Sequence, residues 1–146
     1  IVFKLKGLSM KNMRSSFTLL ELIFAIVIIS VLASVAIPKF FNTTTDAKVS
    51  TLKRDITTIT TSLQSYYVIN SKIDKISQAI NFNTKIWEEL DDKSIVYKED
   101  SKQCIKIEVL NQNSQYKIQL TINSQAGSIC KKLNDDGIVD TIYELD

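Results

Sequence analysis

The chain has 146 residues, of which 45% are hydrophobic and 23% are charged, a composition typical of one folded domain rather than a disordered chain. It contains no histidine, which excludes histidine-based acid–base catalysis, serine–histidine and cysteine–histidine nucleophile pairs, and histidine-containing metal sites. With only three glycines, the sequence has no glycine-rich phosphate-binding motif. The composition therefore favours a structural or binding protein over an enzyme.

Charge is distributed unevenly along the chain. Residues 1–16 contain no acid and four of the eighteen basic residues: Lys4, Lys6, Lys11 and Arg14. Residues 17–146 hold the other fourteen bases against sixteen acids. The last fourteen residues contain five acids and no base. We therefore expect no direct binding to nucleic acid, which requires a basic surface.

Residues 17–37 form an apolar segment of 21 residues with one charge, Glu21, and no glycine or proline. As an α-helix it would be about 31 Å long, which matches the hydrocarbon core of a bilayer. Because Lys11 and Arg14 precede it, the positive-inside rule predicts a cytoplasmic N-terminus and an external location from Pro38 onward. A cleaved signal peptide is the alternative, but the segment is longer than a usual signal sequence and lacks a clear cleavage site.

The sequence SSFTLLE at residues 15–21, followed by the apolar segment and Pro38, resembles the N-terminus of type IV pilins and type II secretion pseudopilins. The resemblance covers about residues 10–41. It implies that a prepilin peptidase cleaves between Ser16 and Phe17, methylates the new amino group of Phe17 and leaves the apolar helix on the mature protein. The family usually has glycine where this chain has Ser16. The implied leader is residues 1–16, with Met10 as the preferred start and Met13 as the second.

Glu21 is the one charged residue in the apolar segment at residues 17–37. A carboxylate at mid-bilayer costs roughly 2.5–3.5 kcal/mol and usually marks function. The resemblance implies that Glu21 pairs with the N-terminal amine of Phe17 in a neighbouring subunit, which would set the axial register of a filament. The alternative is an acid that reaches the headgroups at the edge of the membrane.

The apolar pattern continues beyond Pro38 at spacings of mostly three and four residues: Ala47, Leu52, Ile56, Ile59, Leu63 and Tyr66. Threonines at positions 43–45, 57, 58, 60 and 61 oppose a helix, because threonine is a poor helix former. The periodicity predicts one helix from Phe17 to about Tyr67, with a kink at Pro38. The expected domains are a transmembrane and assembly helix at residues 17–41 and a periplasmic head at residues 42–146.

The head is expected to combine this helix with a small sheet. Alternating apolar residues predict two strands, Cys104–Leu110 and Tyr116–Ile122, joined by a turn at Asn111–Gln115. Weaker signals suggest a third strand at Ile95–Lys98, a short helix around Asp74–Ile80, and Ile86 and Trp87 as core anchors beneath a loop. The predicted fold is α+β and pilin-like, with a long N-terminal helix, half transmembrane and half amphipathic, packed on a small antiparallel sheet.

Two further features lie in the part of the chain expected outside the cytoplasm. There, a disulfide between Cys104 and Cys130 is favoured over two buried thiols, and a C-terminal disulfide is common in pilins. The acidic stretch Leu133–Asp140 offers candidate calcium ligands at Asp135, Asp136 and Asp140. Some major pseudopilins bind calcium in a C-terminal loop, but this stretch lacks the EF-hand spacing. We expect a solvated acidic tail, with no metal and no other cofactor.

The function expected from the resemblance is that of a non-enzymatic structural subunit, a pilin or pseudopilin, in type II protein secretion or a type IV pilus. Its partners would be like subunits in a helical filament, the prepilin peptidase, an inner-membrane assembly platform and membrane lipid. It would begin as a single-pass protein of the bacterial inner membrane and end in a periplasmic or extracellular filament. The alternatives are a pseudopilin of a DNA-uptake system and an unrelated single-pass membrane protein.

Overall fold

The computed structural model describes residues 16–145. They form three helices and five strands in the order α1 Leu19–Asn70, α2 Ile76–Ala79, β1 Trp87–Asp91, β2 Ser94–Glu99, β3 Lys102–Gln112, β4 Gln115–Ile122, α3 Ser128–Asp135 and β5 Thr141–Leu145. The chain divides into two compact units, one ending at Phe41 and the other beginning at Asn42.

The unit that ends at Phe41 holds the apolar N-terminal part of α1. Within the described chain, α1 is the one helix long and apolar enough to cross a membrane, and none of its most apolar stretch is buried. The hydroxyls of Ser30 and Ser34 donate to the carbonyls of Ile26 and Val31, at 2.6 and 2.7 Å. These polar groups are therefore satisfied inside the helix, as a hydrocarbon environment requires.

In the second unit, α1 buries one face at helical spacing: Val49, Leu52, Ile56, Ile59, Thr60 and Leu63. The predicted stripe is confirmed from Leu52 to Leu63, but it was wrong at Ala47, which is exposed. Ala47 lies five residues before Leu52, which puts it about 140° away around the helix. Val49, three residues before Leu52, occupies the buried position instead.

The threonines of α1 do not end the helix, because burial of one helix face outweighs their low helix propensity. Thr51, Thr57 and Thr60 each donate to the carbonyl four residues earlier, at 2.9–3.0 Å. Each hydroxyl therefore finds a partner without breaking the helical hydrogen bonds. The helix continues through Pro38 and ends at Asn70, close to the predicted end.

The five strands form one antiparallel sheet, in which spatial order follows chain order. The predicted hairpin is present as β3 and β4, and the predicted third strand is β2. The turn between β3 and β4 is shorter than expected. It consists of Asn113 and Ser114, with φ of 55° and 66°, as a two-residue hairpin turn requires.

The core lies between the buried face of α1 and one face of the sheet. Strand residues contribute most of the fully buried side chains, among them Ile95, Val96, Ile105, Ile107 and Ile118. The predicted short helix is present as α2, and its Ile76 also joins the core. The predicted layout, a long helix packed on an antiparallel sheet, is confirmed.

Trp87 is buried as predicted, but it does not lie beneath a loop. It is the first residue of β1, pairs with Tyr97 of β2 and donates its indole N–H to Asp55 of α1 at 3.1 Å. The other four residues of β1 are exposed, so this edge strand has no alternating pattern that would reveal it.

The C-terminal region is folded and is not the tail that was expected, although its acids Asp135, Asp136 and Asp140 are solvent-exposed as expected. It contains α3 and β5, which bury Ile129, Cys130, Leu133 and Leu145. β5 pairs with β4 and forms one edge of the sheet. The acids of this region occupy exposed positions of these elements, so its charge does not prevent it from folding against the core.

Candidate functional site

The predicted cleavage site lies just before the first helix. Ser16 and Phe17 are exposed and precede α1, which begins at Leu19. A peptidase that cuts between them would therefore meet non-helical backbone and would leave α1 whole. The rest of the predicted leader, including Met10 and Met13, lies outside the described residues, so cleavage and methylation of Phe17 stay predictions.

Thr18 caps α1, a role that sequence reasoning missed. Its side-chain Oγ1 accepts the backbone N–H of Glu21 at 3.2 Å, and its carbonyl accepts the N–H of Leu22 at 3.1 Å. The first contact satisfies an N–H group that a helix start leaves without a partner, and the second is the first regular hydrogen bond of the helix. The pattern Thr-x-x-Glu at residues 18–21 is the sequence signature of such a cap and could have predicted it.

Glu21 lies in the first turn of α1 and its side chain is exposed. The partial positive charge at a helix N-terminus favours a carboxylate at this position. It comes four residues after Phe17, within one helical turn along the chain. The position of residue 21 in the first helical turn is thus a local reason for an acid there. The pairing of Glu21 with the amine of a neighbouring subunit stays a prediction.

Pro38 lies inside α1 rather than at its end. Proline has no N–H to donate to the carbonyl four residues earlier, so the predicted kink rests on this missing hydrogen bond. The helix assignment on both sides of Pro38 is unbroken, in agreement with the prediction that the helix continues past it.

The predicted disulfide joins Cys104 of β3 to Cys130 of α3, with their Cα atoms 5.7 Å apart. Both cysteines are buried. The bridge closes a loop with a sequence separation of 26, for which the chain-entropy model gives a stabilisation of roughly 3–4 kcal/mol. It fixes the short helix α3 to the centre of the sheet.

Glu99, at the end of β2, lies beside this disulfide and was not singled out from the sequence. It is 9% exposed, and its carboxylate accepts the backbone N–H groups of Ile129 and Cys130, each at 3.0 Å. The hydroxyl of Ser128 donates to it at 3.3 Å. Since α3 has no side-chain cap of its own, Glu99 supplies the acceptor that its N-terminus needs.

Gly127 makes room for this carboxylate. A Cβ at position 127 would lie 2.2 Å from the carboxyl carbon of Glu99. The glycine is therefore explained by the close approach of Glu99. No local sequence signal could have linked Glu99 to α3, because about thirty residues separate the acceptor from its donors.

Among residues 16–145, Glu99, Cys104 and Cys130 form a group whose potential metal-ligand atoms lie within 4.8 Å of one another. Metals bind the thiolate form of cysteine, and the disulfide leaves neither sulfur in that form. The geometry therefore favours a structural role, in which the carboxylate caps α3 and the disulfide fixes it to β3.

The three candidate calcium ligands each have a partner within the protein. Asp135 bonds to Lys131 at 2.7 Å, Asp136 bonds to Lys53 of α1 at 2.7 Å, and Asp140 accepts the backbone N–H of Ile122 at 2.8 Å. The structure does not gather them into a group of metal ligands in the part of the chain that it describes.

Two ion pairs connect α3 and the residue after it to α1. Lys53 pairs with Asp136, and Lys132 pairs with Asp46. The hydrogen bond from Lys53 lowers the pKa of Asp136, and the hydrogen bond to Asp46 raises the pKa of Lys132. Both shifts favour the charged forms of Asp136 and Lys132.

The family model for the prokaryotic N-terminal methylation motif matches residues 11–37. The match includes Ser16, Phe17 and Glu21 and ends one residue before Pro38. No curated protein and no solved structure matches the chain significantly. Together with the exposed apolar helix and the α+β head, the match identifies the N-terminus: the chain carries the prepilin-type methylation motif of type IV pilins and pseudopilins.

Proposed function

We propose that this protein is a structural subunit, a pilin or pseudopilin, of a filament that assembles from the bacterial inner membrane in type II secretion or a type IV pilus. The methylation motif at residues 11–37 carries the proposal. The match includes the apolar part of α1, which is exposed within its own unit and has the length of a membrane span. Such a surface needs either lipid or other apolar helices around it.

The start of α1 supports processing before assembly. Cleavage between Ser16 and Phe17 would remove the basic leader and create a new amino group two residues before the helix. Because Thr18 remains in the mature chain, the capping hydrogen bond to Glu21 would survive the cleavage. The prepilin peptidase is thus the first partner in the proposal, and the assembly platform and like subunits follow.

Glu21 would then supply the contact that aligns neighbouring subunits. In a dehydrated bundle of apolar helices, an amine or a carboxylate is costly alone, and the two are tolerated as a pair. A carboxylate one helical turn after Phe17 can meet the amine of a neighbour that is shifted along the bundle. We propose this pair as the element that sets the axial stagger.

The head would support the filament without catalysis. The chain has no histidine, and the buried carboxylate of Glu99 is engaged in capping α3. We place the head outside the cytoplasm, because the leader is basic and a disulfide is characteristic of oxidising compartments.

Mass spectrometry of the mature N-terminus tests the proposal. Protein purified from membranes of cells with an active prepilin peptidase should begin at N-methylated Phe17, and protein from cells without it should retain the leader. Ser16→Gly should be cleaved at least as efficiently, and Ser15→Gly is the matched control outside the cleaved bond. A chain that keeps its leader in peptidase-active cells would refute the proposal.

A further inference from the structure

The head contains an open groove that the filament proposal does not use. Its volume is about 440 Å³, within the range of small-molecule sites in proteins. Its lining surface is mainly apolar and comes from α1, from the segment before β1 and from β2. The lining residues include four with apolar side chains or rings and two lysines: Ala47, Leu52, Ile86, Tyr97, Lys48 and Lys85. An apolar surface next to two ammonium groups is suited to an amphiphilic ligand with a negative charge.

Lys48 and Lys85 have no carboxylate partner within residues 16–145. Eight other lysines of that region form ion pairs. Both lysines of the groove are exposed, so their positive charge is not compensated by the protein. Basic side chains at such positions attract anionic lipid headgroups while their methylene stems cover apolar surface.

The groove begins close in the chain to the apolar span. Its first lining residue, Thr44, follows Phe41 by three residues, so at most about 11 Å of backbone separates the two. Phe41 ends the unit that carries the candidate membrane helix. The first lining residue of the groove is therefore close in the chain to the end of the unit that would lie in the bilayer.

We propose that this groove binds one anionic phospholipid of the membrane that holds the chain. Part of an acyl chain would lie against Leu52, Ile86 and Tyr97, and Lys48 and Lys85 would contact the headgroup phosphate. The proposal requires membrane insertion and does not depend on filament assembly. The acidic C-terminal region of a second copy is a poorer occupant, because Asp135 and Asp136 already pair with lysines of their own head.

Trp87, the only tryptophan in the chain, is buried and does not line this groove, but it is a neighbour of two residues that do. It follows Ile86 directly, and its ring centroid lies 6.3 Å from that of Tyr97. Bromine atoms on acyl chains quench indole fluorescence only at short range. The full chain would be reconstituted into vesicles that contain acyl-brominated phosphatidylglycerol or, at the same mole fraction, acyl-brominated phosphatidylcholine.

We expect brominated phosphatidylglycerol to quench Trp87 at least twofold more than brominated phosphatidylcholine. The double variant Lys48→Gln, Lys85→Gln should lose this excess. Lys102→Gln should keep it, because Lys102 is also exposed and without an ion pair in the described region but does not line the groove. Vesicle flotation verifies that every variant is inserted, so that lost quenching cannot reflect lost protein.

Three outcomes would overturn the proposal. Equal quenching by the two brominated lipids would remove the selectivity for an anionic headgroup. An unchanged excess in the double variant would remove the role of the lysines. An excess that disappears as the protein-to-lipid ratio rises would show that a second copy covers the groove.

Discussion

The carboxylate of Glu99 accepts the backbone N–H of Cys130 at 3.0 Å, across a sequence separation of 31 residues. Glu99 ends β2, Cys130 lies in the first turn of α3, and Cys130 is also bonded to Cys104 of β3. One buried side chain therefore connects a strand, a helix terminus and the disulfide. The geometry makes this junction a principal determinant of how α3 is held on the sheet.

Gly127→Ala should destabilise the head, because the added Cβ would meet the carboxylate of Glu99. Glu99→Ala should cost about 1–3 kcal/mol, the usual penalty for leaving buried donors without an acceptor. The double variant has no clash. Its loss of unfolding free energy should therefore be smaller than the sum of the losses in the two single variants. Chemical denaturation of the full chain in detergent micelles measures all three free energies of unfolding.

The control for this cycle is Glu89→Ala. Glu89 is exposed on β1 and forms no ion pair within the described residues, so its replacement should change the free energy of unfolding by about 0.5 kcal/mol or less. Fully additive costs of Gly127→Ala and Glu99→Ala would show that Gly127 is required for a reason other than the carboxylate.

The ion pair between Lys53 and Asp136 should make part of the stability sensitive to acid. The hydrogen bond from Lys53 lowers the pKa of Asp136 below its ordinary value of 3.8. A carboxyl with a lowered pKa in the folded state contributes stability above its unfolded pKa, and this contribution is lost as the pH falls through the folded pKa. Lys53→Gln should therefore reduce the fall in thermal midpoint between about pH 5 and pH 3.

Asp74 and Asp91 also have lowered pKa values, because each accepts a side-chain hydrogen bond, from Lys72 and Ser94 respectively. An acid-dependent loss of stability should therefore remain in Lys53→Gln, with a smaller slope than in the wild type. Lys85→Gln, which removes an unpaired charge, is the control. Parallel pH profiles for Lys53→Gln and the wild type would contradict the role of the pair.

The long periodic elements of this fold, and the short elements α2 and β2, could be predicted from the sequence, whereas the edge strands β1 and β5 could not. The helix α1 and the hairpin β3–β4 have enough residues for a pattern to emerge, as the burial of Leu52, Ile56, Ile105 and Ile107 shows. β1 buries only Trp87, and β5 exposes Ile142 while it buries Leu145. In such strands the partner strand, rather than the local pattern, determines the structure.

The features of the candidate site also fall into those that could be predicted from the sequence and those that could not. The methylation motif and the cysteine pair are contiguous or compositional signals, so the motif and the disulfide could be predicted, whereas the roles of Ser16, Phe17 and Glu21 stay predictions. The contacts of Glu99 are made through tertiary structure alone and leave no trace in the neighbouring sequence. The cap at Thr18 was missed although it has a local signal, because the Thr-x-x-Glu pattern at residues 18–21 could have predicted it.

Calcium should not stabilise the head. Asp135 and Asp136 contact ammonium groups at 2.7 Å, which already balance the charge that a cation would balance. Adding calcium or a chelator should therefore leave the thermal midpoint of the full chain unchanged. A rise of several degrees with calcium that is absent in Asp136→Ala would contradict this expectation and would indicate a calcium site in the C-terminal region.

Thr18→Ala should loosen the first turn of α1. Loss of an N-cap hydroxyl costs about 0.5–2 kcal/mol, so hydrogen exchange at the Glu21 amide should become roughly 2-fold to 30-fold faster. Thr18→Ser keeps the hydroxyl and should exchange as slowly as the wild type. Nuclear magnetic resonance of the full chain in micelles measures this amide directly. Equal rates in Thr18→Ala and the wild type would mean that the cap does not stabilise the turn.

Assembly of Glu21→Gln is the measurement that tests the central claim most directly. The change keeps the size and hydrogen-bonding capacity of the side chain and removes only its charge. Membrane insertion should be at least as efficient, because the cost of a carboxylate in the bilayer disappears. Cleavage should persist because Ser16 and Phe17 are unchanged. We expect normal membrane levels and a methylated N-terminus but no filaments, since a buried amine without its partner costs several kcal/mol. Filaments of Glu21→Gln that form like those of the wild type would contradict the charge pair and leave Glu21 as an acid at the edge of the membrane.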